Sequence, residues 1–253
     1  MESSIRYSLN PMRVLVLSDI HANLAALNAV LEDAGSIDAV WCLGDLVGYG
    51  PDPNEVIDRI ASLPYTLCIL GNHDAAALGQ IDLDSFNQEA KQTTLWNQEN
   101  LTRDSKLYLT SLRKKTVRHG FTLAHGSPRN SIWEYVLDVE SAADNLDYFA
   151  TPFCLLGHTH IPIIYHTNNG KSSLYAMNSD NPLSTKLTGR AILNPGSVGQ
   201  PRDADPRASY AILDLRDKTW DLRRIPYDIA SVQQRIVRAG LPVRNGERLF
   251  GGW

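Results

Sequence analysis

The stretch Thr66-Leu67-Cys68-Ile69-Leu70-Gly71-Asn72-His73-Asp74 passes abruptly from apolar to polar residues. Its first five residues predict a short buried strand, which Gly71 ends. The three residues after the glycine are suited to chemistry, because an amide oxygen can bind a metal ion without adding charge and an imidazole can carry a proton near neutral pH. Asn, His and Asp also form ordinary turns, so this stretch becomes informative only together with similar clusters elsewhere in the chain.

Four other predicted strands end in clusters of the same kind. They are Ser18-Asp19-Ile20-His21 after Arg13–Leu17, Gly44-Asp45 after Ala39–Leu43, His125-Gly126 after Phe121–Ala124, and Gly157-His158-Thr159-His160 after Phe153–Leu156. Helical patterns from Asn23 to Gly35 and from Asn54 to Ala61 separate the first three strands, which is typical of a parallel α/β core. Because the carboxyl ends of parallel strands share one edge of a sheet, the polar clusters are expected to meet there.

The remaining segments are assigned around this core. We predict one domain over residues 12–240, a flexible N-terminal arm over 1–11 and a loosely held C-terminal tail over 241–253. Polar helical patterns at about 84–112 predict a helical cover over one edge of the core. A helix is predicted at Val139–Phe149. Further strands are predicted at Ile161–His166, Leu174–Met177, Ala191–Leu193, Ser209–Leu215 and Trp220–Ile225, followed by a helix from Ile229 to about Ala239. Translation begins either at Met1 or at Met12, where the first strand pattern starts.

Composition and charge restrict the class of protein. The chain has 253 residues, 43% of them hydrophobic, and a net charge of -4, which predicts a globular protein with a sizeable core and gives no electrostatic reason for binding nucleic acid or an acidic membrane. No apolar run approaches the roughly 18 residues that cross a bilayer. Cys42, Cys68 and Cys154 each lie in an apolar run, so buried reduced thiols and a cytoplasmic location are expected.

Seven side chains at the strand ends are candidate metal ligands. They are Asp19, His21, Asp45, Asn72, His125, His158 and His160. Mixed carboxylate, imidazole and amide donors suit Mn, Fe, Zn, Co or Ni better than Ca or Mg. Seven ligands are more than one ion needs, so the set predicts two divalent metal ions that share a bridging carboxylate. With two Asp ligands and one hydroxide the site would carry a charge of roughly +1, which favours a bound phosphate group.

The order of these motifs resembles that of the calcineurin-like metallophosphoesterase superfamily over about Met12 to Gly199. The resemblance implies an α/β fold with a two-sheet β-sandwich flanked by helices, in four αββα layers, and a binuclear metal centre at the sheet edge. It also implies the roles of the site residues. Asp19, His21 and His160 would hold one ion, Asn72, His125 and His158 the other, Asp45 would bridge them, and His73 would protonate the leaving oxygen with Asp74 orienting its ring.

Two differences from the motifs of phosphoprotein phosphatases indicate the branch of the family that this chain resembles. Phosphoprotein phosphatases of this family carry Asp-Arg-Gly after the second motif and Asn-His-Glu in the third, whereas this chain has Asp45-Leu46-Val47 and ends the third motif in Asp74. The chain is more similar to small bacterial phosphodiesterases and diadenosine polyphosphate hydrolases. The resemblance thus implies a metal-dependent hydrolase of a small, nucleotide-like phosphate ester that uses a metal-bridging hydroxide.

Rival functions come from other classes of protein. One is a non-catalytic scaffold with this fold, but such a relative is expected to have lost ligands or the histidine, and none is missing here. A phosphoprotein phosphatase is a second rival. A DNA nuclease is disfavoured by the acidic charge balance and by the lack of a basic stripe.

Several residues near the motifs keep two interpretations. Arg129 and Arg202 either bind substrate by clamping its phosphate or are ordinary surface arginines. Trp133 and Tyr135 either stack on a planar group or pack in the cover. The loop Asn194–Gly199 either supports the site or faces the substrate. Two further histidines, His119 and His166, are expected to be structural.

Overall fold

The computed structural model describes residues 12–168, 171–176 and 183–253. The predicted arm 1–11 and the end of the predicted strand at Met177 lie outside these residues. The strands are β1 Arg13–Leu17, β2 Ala39–Cys42, β3 Thr66–Cys68, β4 Lys115–Arg118, β5 Phe121–Ala124, β6 Phe153–Leu155, β7 Pro162–Asn168, β8 Lys171–Ala176, β9 Leu183–Lys186, β10 Arg190–Pro195, β11 Ala208–Asp214 and β12 Thr219–Ile225. The α-helices are α1 Leu24–Ala34, α2 Pro53–Ala61, α3 Asn72–Ala77, α4 Gln88–Asn100, α5 Arg103–Ser111, α6 Val139–Asn145, α7 Ile229–Arg238 and α8 Val243–Gly251.

The strands form two mixed sheets of six strands each. The first has the order β3-β2-β1-β11-β12-β9, in which β1, β2 and β3 are parallel and β11, β12 and β9 continue the sheet in antiparallel pairs. The second has the order β4-β5-β6-β10-β7-β8, in which β5, β6 and β10 are parallel. The predicted parallel core is therefore confirmed for the first three strands, and the sheets are completed by antiparallel strands.

Both faces of β1 are buried from Val14 to Leu17, which explains why these four residues are all apolar. Leu15 and Leu17 pack against α1 and α2, in a cluster that includes Leu27. Val14 and Val16 point to the opposite face, where they pack against residues of the second sheet. Since successive side chains of a strand point to opposite faces, this alternation places one core between the sheets and another beneath the helices.

The outer face of the second sheet is covered in the same way. Cys154 and Ile192 pack there against Ala142 of α6 and the neighbouring Val136. Helices thus lie outside both sheets, and the predicted two-sheet α/β fold flanked by helices is confirmed. The polar cover is helical as predicted, since α4 and α5 occupy most of 84–112. In the described part of the chain, no helix is both long enough and apolar enough to span a bilayer.

The C-terminal segment differs from the prediction of a loosely held tail. Residues 243–251 form α8, which packs against α7 and buries Leu249 and Asn245. Two glycines weaken the helical signal of this sequence, and one of them is needed for packing. A Cβ atom on Gly246 would lie 2.7 Å from the side chain of Gln233, so the glycine allows α7 and α8 to approach closely.

Candidate metal centre

The seven candidate ligands come from five strand ends. Asp19 and His21 follow β1, Asp45 follows β2, Asn72 begins α3 just after β3, His125 follows β5, and His158 and His160 follow β6. β1, β2 and β3 belong to the first sheet, whereas β5 and β6 belong to the second. The site therefore lies where the edges of the two sheets meet. All seven residues are almost completely buried, with at most 3% of their surface exposed.

The ligand atoms converge in two groups. Those of Asp19, His21 and His160 lie within 4.8 Å of one another, and so do those of Asp45, His125 and His158. A third group contains His21, Asp45 and His73, so Asp45 is close to both sides of the site. Asn72 completes the second group, because its Oδ1 lies 2.9 Å from Nε2 of His125. The structure thus brings together all seven residues that the sequence singled out.

Backbone carbonyls fix the orientation of the imidazole rings. Nδ1 of His21 lies 3.0 Å from the carbonyl oxygen of Val47, and Nδ1 of His125 lies 2.8 Å from that of Leu43. A ring whose Nδ1–H donates to a carbonyl presents the lone pair of Nε2 to the centre, as metal-binding histidines commonly do. His158 is turned the other way, since its Nε2 lies 3.2 Å from the carbonyl oxygen of Trp133.

Burial also sets the charge of the rings. It lowers the pKa of His158 to about 3 and holds the pKa of His21 and His160 well below the ordinary value. These rings are therefore neutral at pH 7 and keep the lone pair that a cation requires. At His125 burial acts in the same direction, but the Asp45 carboxylate, 3.3 Å from its Nε2, outweighs it and raises the pKa to about 10.

The residues present fit a bound metal centre. Oδ2 of Asp45 is buried and accepts no well-formed hydrogen bond from the described residues, although Nε2 of His125 lies 3.3 Å away. A buried carboxylate oxygen without such a bond is costly. The other oxygen of Asp45, Oδ1, accepts the backbone N–H of His73 at 2.9 Å. A cation placed among the buried carboxylates, the neutral imidazoles and the Asn72 amide would satisfy that oxygen, and this donor set suits a first-row transition metal.

His73 lies directly beside the candidate ligands. Its ring packs edge-on against His21, with centroids 4.9 Å apart, and against Phe86 at 5.0 Å. Burial lowers the pKa of His73 to about 4. Nδ1 of this ring is buried and has no hydrogen-bond partner in the described chain.

Asp74 does not hydrogen-bond to Nδ1 of His73, in contrast to the expectation that it orients this ring. Its carboxylate instead accepts four backbone N–H groups. They belong to Asp45 at 2.8 Å, Leu46 at 2.9 Å, Val47 at 3.2 Å and Gly71 at 3.0 Å. Asp74 therefore holds the loop that carries Asp45, and the ring of His73 is positioned by packing.

Comparison with known proteins agrees with this geometry. The family model for the calcineurin-like phosphoesterase superfamily domain matches residues 12–218. The chain belongs to the calcineurin-like phosphoesterase superfamily. The predicted family is thereby confirmed, as is the predicted enzyme class, a metal-dependent phosphoric ester hydrolase.

Individual relatives align with most of this phosphoesterase. It is 42% identical to a metallophosphoesterase from Sphaerobacter thermophilus, whose crystal structure it matches with a TM-score of 0.87 over 96% of this chain and 100% of that chain. It is 37% identical over 246 residues to the uncharacterized protein MJ0912 of Methanocaldococcus jannaschii, covering 94% of this chain and 98% of that protein. It is 26% identical over 220 residues to phosphodiesterase YfcE of Escherichia coli, covering 80% and 88% of the two chains.

The two arginines considered for substrate binding have different surroundings in the phosphoesterase. Arg129 forms an ion pair with Glu134, donating from both Nε and Nη2, and a second ion pair with Asp144. It contacts none of the seven candidate ligands. Arg202 lies beside the centre, where Nη2 is 3.3 Å from the hydroxyl of Tyr49. Arg202 therefore lies beside the centre, whereas Arg129 is engaged by two carboxylates away from it.

The aromatic residues of the cover reach the edge of the centre. Tyr135 stacks on the ring of His158, with centroids 3.9 Å apart, and is 46% exposed. Trp133 packs edge-on against Phe86 at 5.2 Å. Trp133 thus has the packing role, whereas Tyr135 presents an exposed ring beside a candidate ligand. His119 is exposed and outside the centre, as expected for a structural residue.

The loop Asn194–Gly199 supports the ligands from behind. The side-chain amide of Asn194 donates to the carbonyl oxygen of Gly157 at 2.7 Å, in the turn that carries His158 and His160. The hydroxyl of Ser197 donates to the carbonyl oxygen of Asp19 at 2.7 Å. These contacts agree with the interpretation that the loop supports the site.

Two residues beside the centre escaped the sequence analysis. Tyr49 packs against both His21 and His73, with ring centroids 4.7 and 4.6 Å apart. Its position between Gly48 and Gly50 is a signal that could have revealed it. Arg248 of α8 packs over the same tyrosine, and no motif in the sequence marks it.

Proposed function

We propose that this phosphoesterase hydrolyses phosphate esters of a small, nucleotide-like molecule at a centre of two divalent metal ions. The observation that carries the proposal is the position of Asp45, which is close to both ligand groups and has a buried oxygen that accepts no well-formed hydrogen bond from the described residues. Asp19, His21 and His160 would hold one ion and Asn72, His125 and His158 the other. The donor set is compatible with Mn, Fe, Zn, Co or Ni.

The metal ions would supply Lewis-acid polarisation of the phosphoryl oxygens and activation of a water molecule. The chain's own residues supply the remaining functions. His73, at the border of the centre and neutral when free, donates a proton to the leaving oxygen once it has acquired one from solvent. The Arg202 guanidinium faces the same region and binds a phosphoryl oxygen by charge-assisted hydrogen bonds.

The exposed ring of Tyr135 supports a substrate with a planar group. It is stacked on His158 and leaves about half of its surface open, so a base can pack against it close to the hydrolysed phosphate. The three cysteines are free and buried, which supports a cytoplasmic location.

The metal requirement and the substrate class are tested together. Metal-stripped enzyme is resupplied separately with Mn, Fe, Co, Ni, Zn or Mg and assayed on bis-p-nitrophenyl phosphate, p-nitrophenyl phosphate, cyclic nucleotides, diadenosine polyphosphates and phosphopeptides. We expect turnover of nucleotide esters that depends on the added metal. Stoichiometric metal binding without turnover of any substrate would favour the scaffold, and turnover confined to phosphopeptides would favour the phosphoprotein phosphatase.

The role of His73 has a sharper test. His73→Gln is expected to lower kcat/KM about 100-fold or more for a cyclic nucleotide, whose ribose alkoxide leaving group needs a proton. The loss should be much smaller for a p-nitrophenyl ester, because p-nitrophenolate leaves without one. His119→Gln is the matched control, since this histidine is exposed outside the centre. Equal losses on both kinds of ester would exclude His73 as the proton donor.

A further inference from the structure

Two arginines share one face of the centre. Arg202 and Arg248 each place the guanidinium carbon 5.9 Å from the ring centroid of Tyr49. Tyr49 in turn packs directly against His21 and His73. Two cationic side chains from different parts of the sequence therefore lie one aromatic ring away from the candidate ligands.

The helix α8 is anchored in the position that brings Arg248 there. The side-chain amide of Asn245 donates to the carbonyl oxygen of Tyr49 at 3.2 Å and lies 3.1 Å from the hydroxyl of Thr93. Asn245 is almost completely buried. Arg248 follows it by three residues, on the same side of the helix. Its approach to Tyr49 is thus fixed by buried hydrogen bonds.

Among the described residues, no Asp or Glu side chain forms a hydrogen bond or a close ion pair with either arginine. Arg202 donates from Nη2 to Tyr49 and to the side-chain oxygen of Gln200 at 3.2 Å, and Arg248 donates from Nε to the main-chain oxygen of Trp253 at 2.7 Å. None of these acceptors is an Asp or Glu side chain, and the oxygen of Trp253, the last residue of the sequence, engages only Nε of Arg248. Glu89 attracts Arg248 and Asp19 attracts Arg202, but the two guanidinium groups also repel each other, and an anion placed between them would relieve that repulsion.

Hydrogen-bond donors without an acceptor also indicate an anion at this position. Nε of Arg202 and Nε2 of Gln200 are buried, and no described residue accepts a hydrogen bond from either. The terminal nitrogens of Arg248 also have no acceptor among the residues that the structure describes. Burial and the charge of Arg202 both lower the pKa of Arg248. Buried donors without an acceptor are costly, so such a group is expected where a ligand supplies the acceptor oxygens.

We propose that Arg202, Arg248 and the Tyr49 hydroxyl form a second anion subsite, which binds a phosphate group adjacent to the one that is hydrolysed. This inference rests on the proposed function and narrows it to substrates that carry two neighbouring phosphates, such as esters of a pyrophosphate or longer polyphosphate chain. Arg248 would then be a residue that determines specificity, contributed by a helix outside the two sheets.

The test measures binding, so that it does not depend on turnover. Inorganic pyrophosphate and orthophosphate are titrated into the full chain by calorimetry, with metal loaded and again after chelation. We expect the wild type to bind pyrophosphate at least about tenfold more tightly than orthophosphate in both states, as charge-assisted hydrogen bonds imply. Arg248→Gln should reduce this preference to less than about threefold.

Two further variants separate charge from structure. Arg244→Gln removes an arginine of the same helix that pairs with Glu89, and it should keep the wild-type preference. Arg248→Lys keeps the charge but loses the Nε bond to Trp253, and it should bind pyrophosphate more selectively than Arg248→Gln. The subsite is excluded by a wild-type preference in Arg248→Gln, by an equal loss in Arg244→Gln, or by equal losses in both Arg248 variants.

The two proposals can fail separately. A protein that shows the pyrophosphate preference but hydrolyses no substrate would keep the anion subsite and lose the proposed function. Hydrolysis of nucleotide esters without any preference for pyrophosphate would support the proposed function and exclude the anion subsite.

Discussion

At the scale of single residues, the seven candidate ligands lie on an unusual backbone. Five of the seven have a positive φ, from 50° at His21 to 66° at His158. L-residues adopt this conformation rarely and at some cost, and it is concentrated at functional sites. The sequence identifies the ligand types because they follow apolar strands. The sequence does not predict the left-handed turns that orient these side chains, because the turns depend on contacts between segments distant in sequence.

Asp74 acts on the candidate centre through the backbone, because its carboxylate accepts four N–H groups around Asp45. Asp74→Asn should weaken metal binding about 10- to 100-fold, as changes behind a ligand typically do. An amide has only one acceptor oxygen, and its NH₂ group would face N–H donors of the Asp45 loop. Titration calorimetry with Mn measures the affinity, and excess metal should restore much of the turnover.

The control for this prediction is Asp84→Asn in the cover. The Asp84 side chain is 85% exposed and pairs only loosely with Lys91 at 3.8 Å. This variant should keep wild-type affinity for Mn. Unchanged affinity in Asp74→Asn would mean that the loop holds its shape without the four hydrogen bonds.

At the scale of elements, the strands were the most predictable part of the fold. Apolar runs bounded by glycine or by polar clusters located β1, β2, β3, β5 and β6, and the ligands followed from their ends. Two helices were not predicted. α3 has only six residues and begins within the polar motif at Asn72, while α8 contains two glycines. The apolar periodicity of a short helix is too brief to identify it in the sequence. Such a helix is stabilised mainly by packing against the rest of the protein, which the sequence pattern does not reveal.

Gly48 tests how closely the loops of the centre are packed. Its φ is 99°, and a Cβ atom there would lie 2.6 Å from Nδ1 of His73. Gly48→Ala should therefore displace this ring and lower kcat about 100-fold, the scale expected for a misplacement of about 1 Å. The measurement is steady-state turnover of a nucleotide ester, together with urea unfolding.

Gly79 is the matched control, because its φ is 69° but nothing lies within 4 Å of an added Cβ atom. Gly79→Ala should cost about 1 kcal/mol in the free energy of unfolding from backbone strain. Its turnover should stay at the wild-type level. If both variants lost activity alike, backbone strain rather than contact with His73 would be responsible.

At the scale of the whole molecule, the cores on both faces of the sheets determine the chemistry of the cysteines. Cys42, Cys68 and Cys154 are free and at most 9% exposed, which confirms the prediction of buried thiols. Burial raises the pKa of Cys68 and Cys154. Since the thiolate is the reactive form, the native protein should show no fast reaction with a disulfide reagent such as DTNB at pH 8. Three thiols should react after denaturation in guanidinium, and fast labelling of the native chain would contradict this packing.

Each ligand group of the centre takes residues from both sheets. Asp19 and His21 come from the first sheet and His160 from the second, while Asp45 and Asn72 face His125 and His158 across the same boundary. A cation held by either group would therefore be a crosslink between the two sheets, in addition to the apolar core and the hydrogen bonds that already join them. A chelator should therefore lower the free energy of unfolding as well as the activity, as a reductant does for a protein that is crosslinked by disulfides.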